Sequence, residues 1–277
     1  MNNIDETKFI EAFKLFSAFL KFSIKVSKLC AGRITENDCM YWACLLFTRL
    51  CVLSTSLKKL SDHTVKGYKE HWDYASTFSM TRNIMECYQT LFYLCFDDVS
   101  EDEQKARKYL FNVHDYYSRK KILQKEDIEL ENFVINQLKS TAYFQNLSEK
   151  LQKDYLKGEK AFFVSREDID LKEGFPKENW KIIYKLLSAN THSFPLGFYR
   201  MVDASRGTGV FSETECSYTC LSLILSTTYL YRACTHMIDM FPDISDKMLP
   251  LEQKLVNSLM DNIEFFKKSD FYSSLIS

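Results

Sequence analysis

Two stretches of this chain carry polar side chains at spacings that suit proton transfer and phosphate binding. In STFSMTRNIMECYQTLFYL, residues 76–94, Arg82 and Glu86 stand four apart and so neighbour each other on one helix face. Ser79, Asn83, Gln89 and Thr90 extend them into a narrow polar stripe on a helix otherwise built from Phe78, Met80, Ile84, Met85, Tyr88, Leu91, Phe92 and Leu94. Turned to water, the stripe is an ordinary solvated face. Turned inward, Arg82 and Glu86 form a buried ion pair, expensive to desolvate and suited to positioning a further group. In YKLLSANTHSFP, residues 184–195, Tyr184, Ser188 and His192 follow at four-residue steps on one side of a helix. Histidine titrates near neutral pH and can give and take protons, although at a helix end it also serves purely structural ends. A Ser188–His192 hydrolase pair would want a GxSxG elbow and an orienting acid, and the sequence offers neither.

Backbone breakers concentrate just beyond. Four of the seven glycines (Gly174, Gly197, Gly207, Gly209) and two of the four prolines (Pro176, Pro195) fall between residues 172 and 211, together with His192, Arg200, Asp203 and Arg206. A long irregular connection in a helical protein is either a plain link or the place where function sits. Gly207–Gly209 lacks the preceding strand and following Lys-Ser/Thr of a phosphate-binding P-loop. A third feature, near residues 100–124, interleaves Lys105, Arg107, Lys108, Arg119, Lys120 and Lys121 with Tyr109, Tyr116 and Tyr117; it reads as a nucleic-acid face or, with its acids, as a solvated one. Nine cysteines include no CxxC pair, and Cys216 and Cys220 have no partner pair at zinc spacing, so neither a metal nor any other cofactor is expected. The thiols are expected to act as small hydrophobes.

The elements that must position these residues are helices. Average usage would give roughly 19 Gly and 14 Pro at this length, against 7 and 4 in the 277 residues. Few turns are therefore available. Apolar periodicity predicts helices over residues 5–30, 35–60, 74–96, 100–124, 127–140, 148–157, 177–190, 212–241 and 249–268, with AFFVS at 161–165 as a short strand candidate and residues 63–72 as a loop. Lysines 14, 21, 25 and 28 form a stripe beside a wide Phe face on the first helix, which reads as the solvent side of a core helix rather than as a membrane-surface helix. Ser100 with Glu103 and Ser212 with Glu215 read as capping boxes. The expectation is an all-α fold: a single bundle-like domain over residues 1–277, of eight or nine helices with long antiparallel members. An apolar content of 46% with net charge −1 excludes disorder as the main state and leaves no global field for DNA or membrane. Tyr218–Met240, the most apolar long run, holds Arg232 and His236 and is read as a core helix, so no membrane partner is expected. With no basic–apolar leader in MNNIDETKF, a cytoplasmic protein is expected.

The two stretches quoted first resemble an uncharacterised family of bacterial all-helical proteins, which pair a helix bearing Arg and Glu one turn apart with a later helix reading Tyr, Ser and His. A more distant likeness is to the HEPN helical ribonucleases and nucleotide-binding domains, whose signature is an arginine, often followed by a polar residue, with a histidine four to six positions on. Arg82–Asn83 is similar to its start, while Glu86, Cys87 and Tyr88 occupy the histidine's window. That likeness implies metal-independent RNA cleavage or nucleotide binding, commonly at a homodimer interface and in phage-defence or toxin systems. It implies that Arg82 stabilises phosphate, His192 from the neighbouring helix acts as acid or base, and Glu86 orients Arg82. Tyr184, Ser188, Asn83, Arg200 and Arg206 would then bind substrate. The rival reading is a non-catalytic interaction module whose Phe and Tyr faces bind a partner protein.

Overall fold

A computed structural model of the chain describes residues 6–62, 71–175, 177–191, 195, 199 and 207–250. Among these residues it contains ten α-helices and one 3-10 helix: α1 (Glu6–Cys30), α2 (Asp38–Leu60), α3 (Tyr74–Cys95), α4 (Glu101–Leu123), α5 (Ile128–Lys139), α6 (Ala142–Gln145), α7 (Glu149–Tyr155), α8 (Arg166–Lys172), α9 (Lys177–Thr191), α10 (Glu213–Met240) and a 3-10 turn at Pro242–Lys247. The all-α expectation holds. The count exceeds eight or nine because α6, α8 and the 3-10 turn are too short to show a 3.6-residue period. Residues 161–165 form no strand, and the β feature among the described residues is a single bridge between Trp72 and Gly209. The helix expected at 249–268 and most of the 63–72 loop lie outside the described residues.

The chain divides into two compact units, Met1–Cys95 with Asp170–Ser277, and Phe96–Ile169. In the first, α1, α2, α3 and α10 bury apolar faces that include Phe16, Phe19, Phe47, Leu50, Phe78, Ile84, Leu221 and Leu230. The direction of each helix follows from its contacts. Cys39 and Leu46 of α2 meet Leu94 and Cys87 of α3, a descending order that makes the pair antiparallel. Ser27 of α1 meets Thr48 of α2. Against α10, in contrast, the order ascends: Phe19 meets Tyr231 and Ser23 meets Cys234, while Thr77 meets Ser222 and Thr81 meets Ser226. So α10 runs parallel to α1 and α3. Parallel neighbours cannot be joined by a tight turn, and the chain between α3 and α10 accordingly includes the whole second unit, α8 and α9.

Both capping boxes are half formed. Ser212 and Ser100 accept the N–H of Glu215 and Glu103, but the glutamates turn elsewhere: Glu103 to Arg107, and the fully buried Glu215 to the backbone N–H groups of Tyr74 and Gly207. By length and composition α2, rather than Tyr218–Met240, is apolar enough to cross a membrane; a third of its most apolar window is buried. Seven cysteines are buried and two half-buried, and burial pushes the Cys51 and Cys220 thiols up to about 12.

The second unit packs α4 to α7 around Leu110, Val113, Leu138 and Phe144. Its basic helix is largely neutralised at home. Arg107 is wholly buried between Asp97 (2.8 Å) and Glu103 (2.5 Å), Arg119 pairs with Asp115, and Lys120 pairs with Glu126 and Glu131.

The α3–α10 contact is made by small hydroxylated residues: Ser222 donates to Thr77 at 3.2 Å and Ser226 to Thr81 at 3.4 Å, all four buried. Ser226→Leu would wedge the two helices apart, and overpacking of this kind costs about 1–3 kcal/mol. A thermal melt should register a clear loss; an unchanged melting temperature would contradict this packing.

Candidate functional site

Of the expected site residues, Arg82, Glu86 and Tyr184 come together. Arg82 Nε donates to Glu86 Oε1 at 3.0 Å within α3, and its Nη2 donates to the Tyr184 hydroxyl on α9, also at 3.0 Å. The guanidinium lies over the Tyr184 ring, 5.1 Å from its centre. The Arg82 and Glu86 side chains are 17% and 26% exposed, so the stripe faces a neighbouring helix while keeping an edge open to solvent. One turn earlier, Ser79 donates to Thr191 at 3.3 Å, which fixes α9 antiparallel to α3. Ser188 does not join the group through its hydroxyl, which bonds its own helix at the Tyr184 carbonyl, 2.6 Å away. Asn83 is exposed. His192, Arg200 and Arg206 lie outside the described residues.

A second polar group, missed by the sequence reading, sits deeper. The end of α8 reads Asp170-Leu-Lys-Glu-Gly-Phe and closes as a Schellman motif. The Phe175 N–H bonds the Asp170 carbonyl, the Gly174 N–H bonds that of Leu171, and Gly174 takes φ +79°, a conformation glycine adopts without strain. This terminator places two acids. Asp170, fully buried, accepts at Oδ2 from Gln89 of α3 (2.5 Å), Trp180 of α9 (2.5 Å) and Tyr229 of α10 (3.3 Å), whereas its Oδ1 has no hydrogen-bond partner. Glu173, three residues on, accepts at Oε2 from the Tyr88 hydroxyl and faces His236 Nε2 and Arg232 Nη1, each at 3.5 Å. Arg232 is 8% exposed and lies 4.1 Å over the Phe175 ring, with no hydrogen bond at Nη1. The site reaches the surface at Glu173 and His236, 14% and 25% exposed.

The electrostatics separate the two acids. Burial pushes the Asp170 carboxyl up to about 6, against the opposing pull of Gln89, Trp180, Arg232 and Tyr229. Burial also works against charge on Glu173, but hydrogen bonds from His236 and Tyr88 and the Arg232 charge outweigh it and hold the group below the usual carboxylate range. Burial, then the Glu173 charge, drives the Tyr88 phenol well above its ordinary value, so it remains a donor. Trp180 links the two groups: its N–H reaches Asp170 while its ring stacks on Tyr184, 4.9 Å between centres and 12° between planes. Signals for the deeper group were present in the Gly174–Pro176 helix terminator and in Arg232 and His236, four apart within an apolar run. Among the described residues no group of three or more His, Cys, Asp or Glu could hold a metal ion.

These features define an all-helical chain with a polar seam between α3, α8, α9 and α10. Residues 40–209 match the family of unknown function DUF5677, more than half of the chain, and the chain belongs to that family. This agrees with the resemblance to an uncharacterised all-helical family. The matched span carries Arg82, Glu86, Tyr88, Asp170, Glu173, Trp180 and Tyr184 and stops before α10, which supplies Tyr229, Arg232 and His236. Comparison with curated proteins and with solved structures gave no match.

Asp170 has a raised value, so it favours the folded chain when protonated: its stabilising contribution is complete below the unfolded carboxyl value near 4 and is lost as pH rises through about 6. At 1.36 kcal/mol per pH unit the swing is at most about 3 kcal/mol. Asp170→Asn cannot ionise and should gain on the wild type between pH 4 and pH 7 in urea unfolding. A difference that stays flat with pH would contradict this.

Proposed function

We propose that this protein is a metal-independent phosphodiesterase or nucleotide-binding protein acting on RNA or a nucleotide at the Arg82 site, as the distant HEPN likeness implies. The observation that carries the reading is the Arg82–Tyr184 hydrogen bond, which joins two helices 102 residues apart at the point from which the chain runs on into His192. Glu86 holds Arg82 along its own helix, the orienting part expected of a supporting group. A guanidinium so fixed is suited to the charge that builds on a phosphorane. In the reaction the ribose 2′-oxygen attacks phosphorus as a histidine base, His192, takes its proton; the bond to the 5′-oxygen breaks, that oxygen is protonated, and a 2′,3′-cyclic phosphate remains. Arg200 and Arg206 are the further phosphate-binding candidates in the adjoining segment, and a homodimer is the assembly the likeness implies.

A second reading, a non-catalytic interaction module, is favoured by Tyr41, Leu45 and Val52, which leave more than half of their surfaces exposed along one side of α2. The discriminating experiment is RNA cleavage by purified protein in excess EDTA, for wild type, Arg82→Ala, Glu86→Gln and His192→Ala. Removing a group that stabilises transition-state charge costs about 100- to 1,000-fold. Cyclic phosphate ends that disappear in Arg82→Ala and His192→Ala are expected. The absence of cleavage and of nucleotide binding by folded wild type would overturn the proposal in favour of the interaction module.

A further inference from the structure

Around Glu173, three donors from two parallel helices converge on one oxygen atom. Tyr88 of α3 and Arg232 and His236 of α10 all face Oε2, and the Tyr88 hydroxyl also stands 3.4 Å from His236 Nε2. One carboxylate oxygen serves three donors poorly. Arg232 Nη1 stands at 3.5 Å and is left without a hydrogen bond although it is buried, a condition that carries a substantial free-energy cost. The donors themselves are firmly built. Tyr88 is fully buried against Tyr229, Arg232 is layered on Phe175, and His236 is flanked by the Tyr88 and Phe92 rings. Glu173, by contrast, is presented from the helix terminator itself, at the last residue before Gly174.

The geometry points to an oxyanion site made by Tyr88, Arg232 and His236, which the chain fills with its own Glu173 carboxylate and which takes the phosphate group of a small molecule in its place. A phosphate brings up to two negative charges and several acceptor oxygens, so each donor gains its own partner, and Arg232 gains the hydrogen bond that Glu173 leaves unmade. The open edge at Glu173 and His236 gives the anion its entry, and the carboxylate leaves by rotation of its side chain with the α8 terminator in place. The site lies on α3 and α10, away from the Arg82–Tyr184 contact between α3 and α9, and does not depend on the phosphodiesterase reading.

Calorimetric titration with inorganic phosphate, and with acetate as a second probe, tests the proposal on the full chain. All titrations use both wild type and Arg82→Ala, so that phosphate held at the α3–α9 site is subtracted. Wild type should bind phosphate weakly, and Glu173→Gln, which removes the competing charge, should bind at least about tenfold more tightly. Arg232→Met should abolish the binding that remains in the Arg82→Ala background. Tyr88→Phe, which loses only a hydroxyl, should weaken it severalfold and covers the case in which Arg232→Met does not fold. Phosphate that binds neither wild type nor Glu173→Gln, or that binds Glu173→Gln no more tightly than wild type, overturns the proposal. Acetate binding without phosphate binding overturns the assignment of phosphate as the ligand.

Discussion

The structure of the first unit depends on one buried carboxylate. Asp170 receives hydrogen bonds from Gln89, Trp180 and Tyr229, one from each of α3, α9 and α10, and is itself fixed by the terminator of α8. Four helices thus meet at one side chain in a core whose large apolar residues include Phe, Leu and Tyr. A carboxylate buried this deeply is costly to ionise, and the chain answers with three donors on one oxygen and the Arg232 charge nearby. The second oxygen is left without a partner, so a proton can settle there without displacing any of the three donors.

From that centre the polar seam runs two ways. Toward α9, Trp180 carries the order to Tyr184 by ring stacking, and Tyr184 holds Arg82 by its hydroxyl. Toward α10, the terminator that sets Asp170 also sets Glu173, and Glu173 gathers Tyr88, Arg232 and His236. Both ends reach solvent at partly exposed charged groups while their backing is buried. A rigid interior with charged edges suits groups that must be held in one orientation before a ligand arrives.

The sequence made one end of the seam readable and hid the other. Arg82 with Glu86 and Tyr184 with Ser188 repeat at helical spacing, and periodicity put each pair on one side of its own helix; that the two sides meet followed only from the fold. Ser188 showed the limit of that logic: a hydroxyl on the correct face turned back to its own helix, an alternative always open to Ser and Thr. Asp170 and Glu173 lie at the end of a seven-residue helix, too short for a period, where two acids before Gly-Phe-Pro look like a simple stop. Arg232 and His236 looked like polar interruptions of an apolar run, because single-chain periodicity says nothing of which buried face meets a partner. The parallel course of α10 was equally hidden: helix direction follows from long-range contacts such as Thr77–Ser222, which no local pattern encodes.

Asp170 and Trp180 form the hydrogen-bonded pair through which one centre positions both edges. A double-mutant cycle with Asp170→Asn, Trp180→Phe and the double variant, read by urea unfolding at pH 7, measures that coupling directly. Contacting groups in one hydrogen-bond network couple by about 0.5–3 kcal/mol, and a value in that range is expected here. Additive effects of the two substitutions would mean that the indole and the carboxylate act independently, and the account of a single positioning centre would fall.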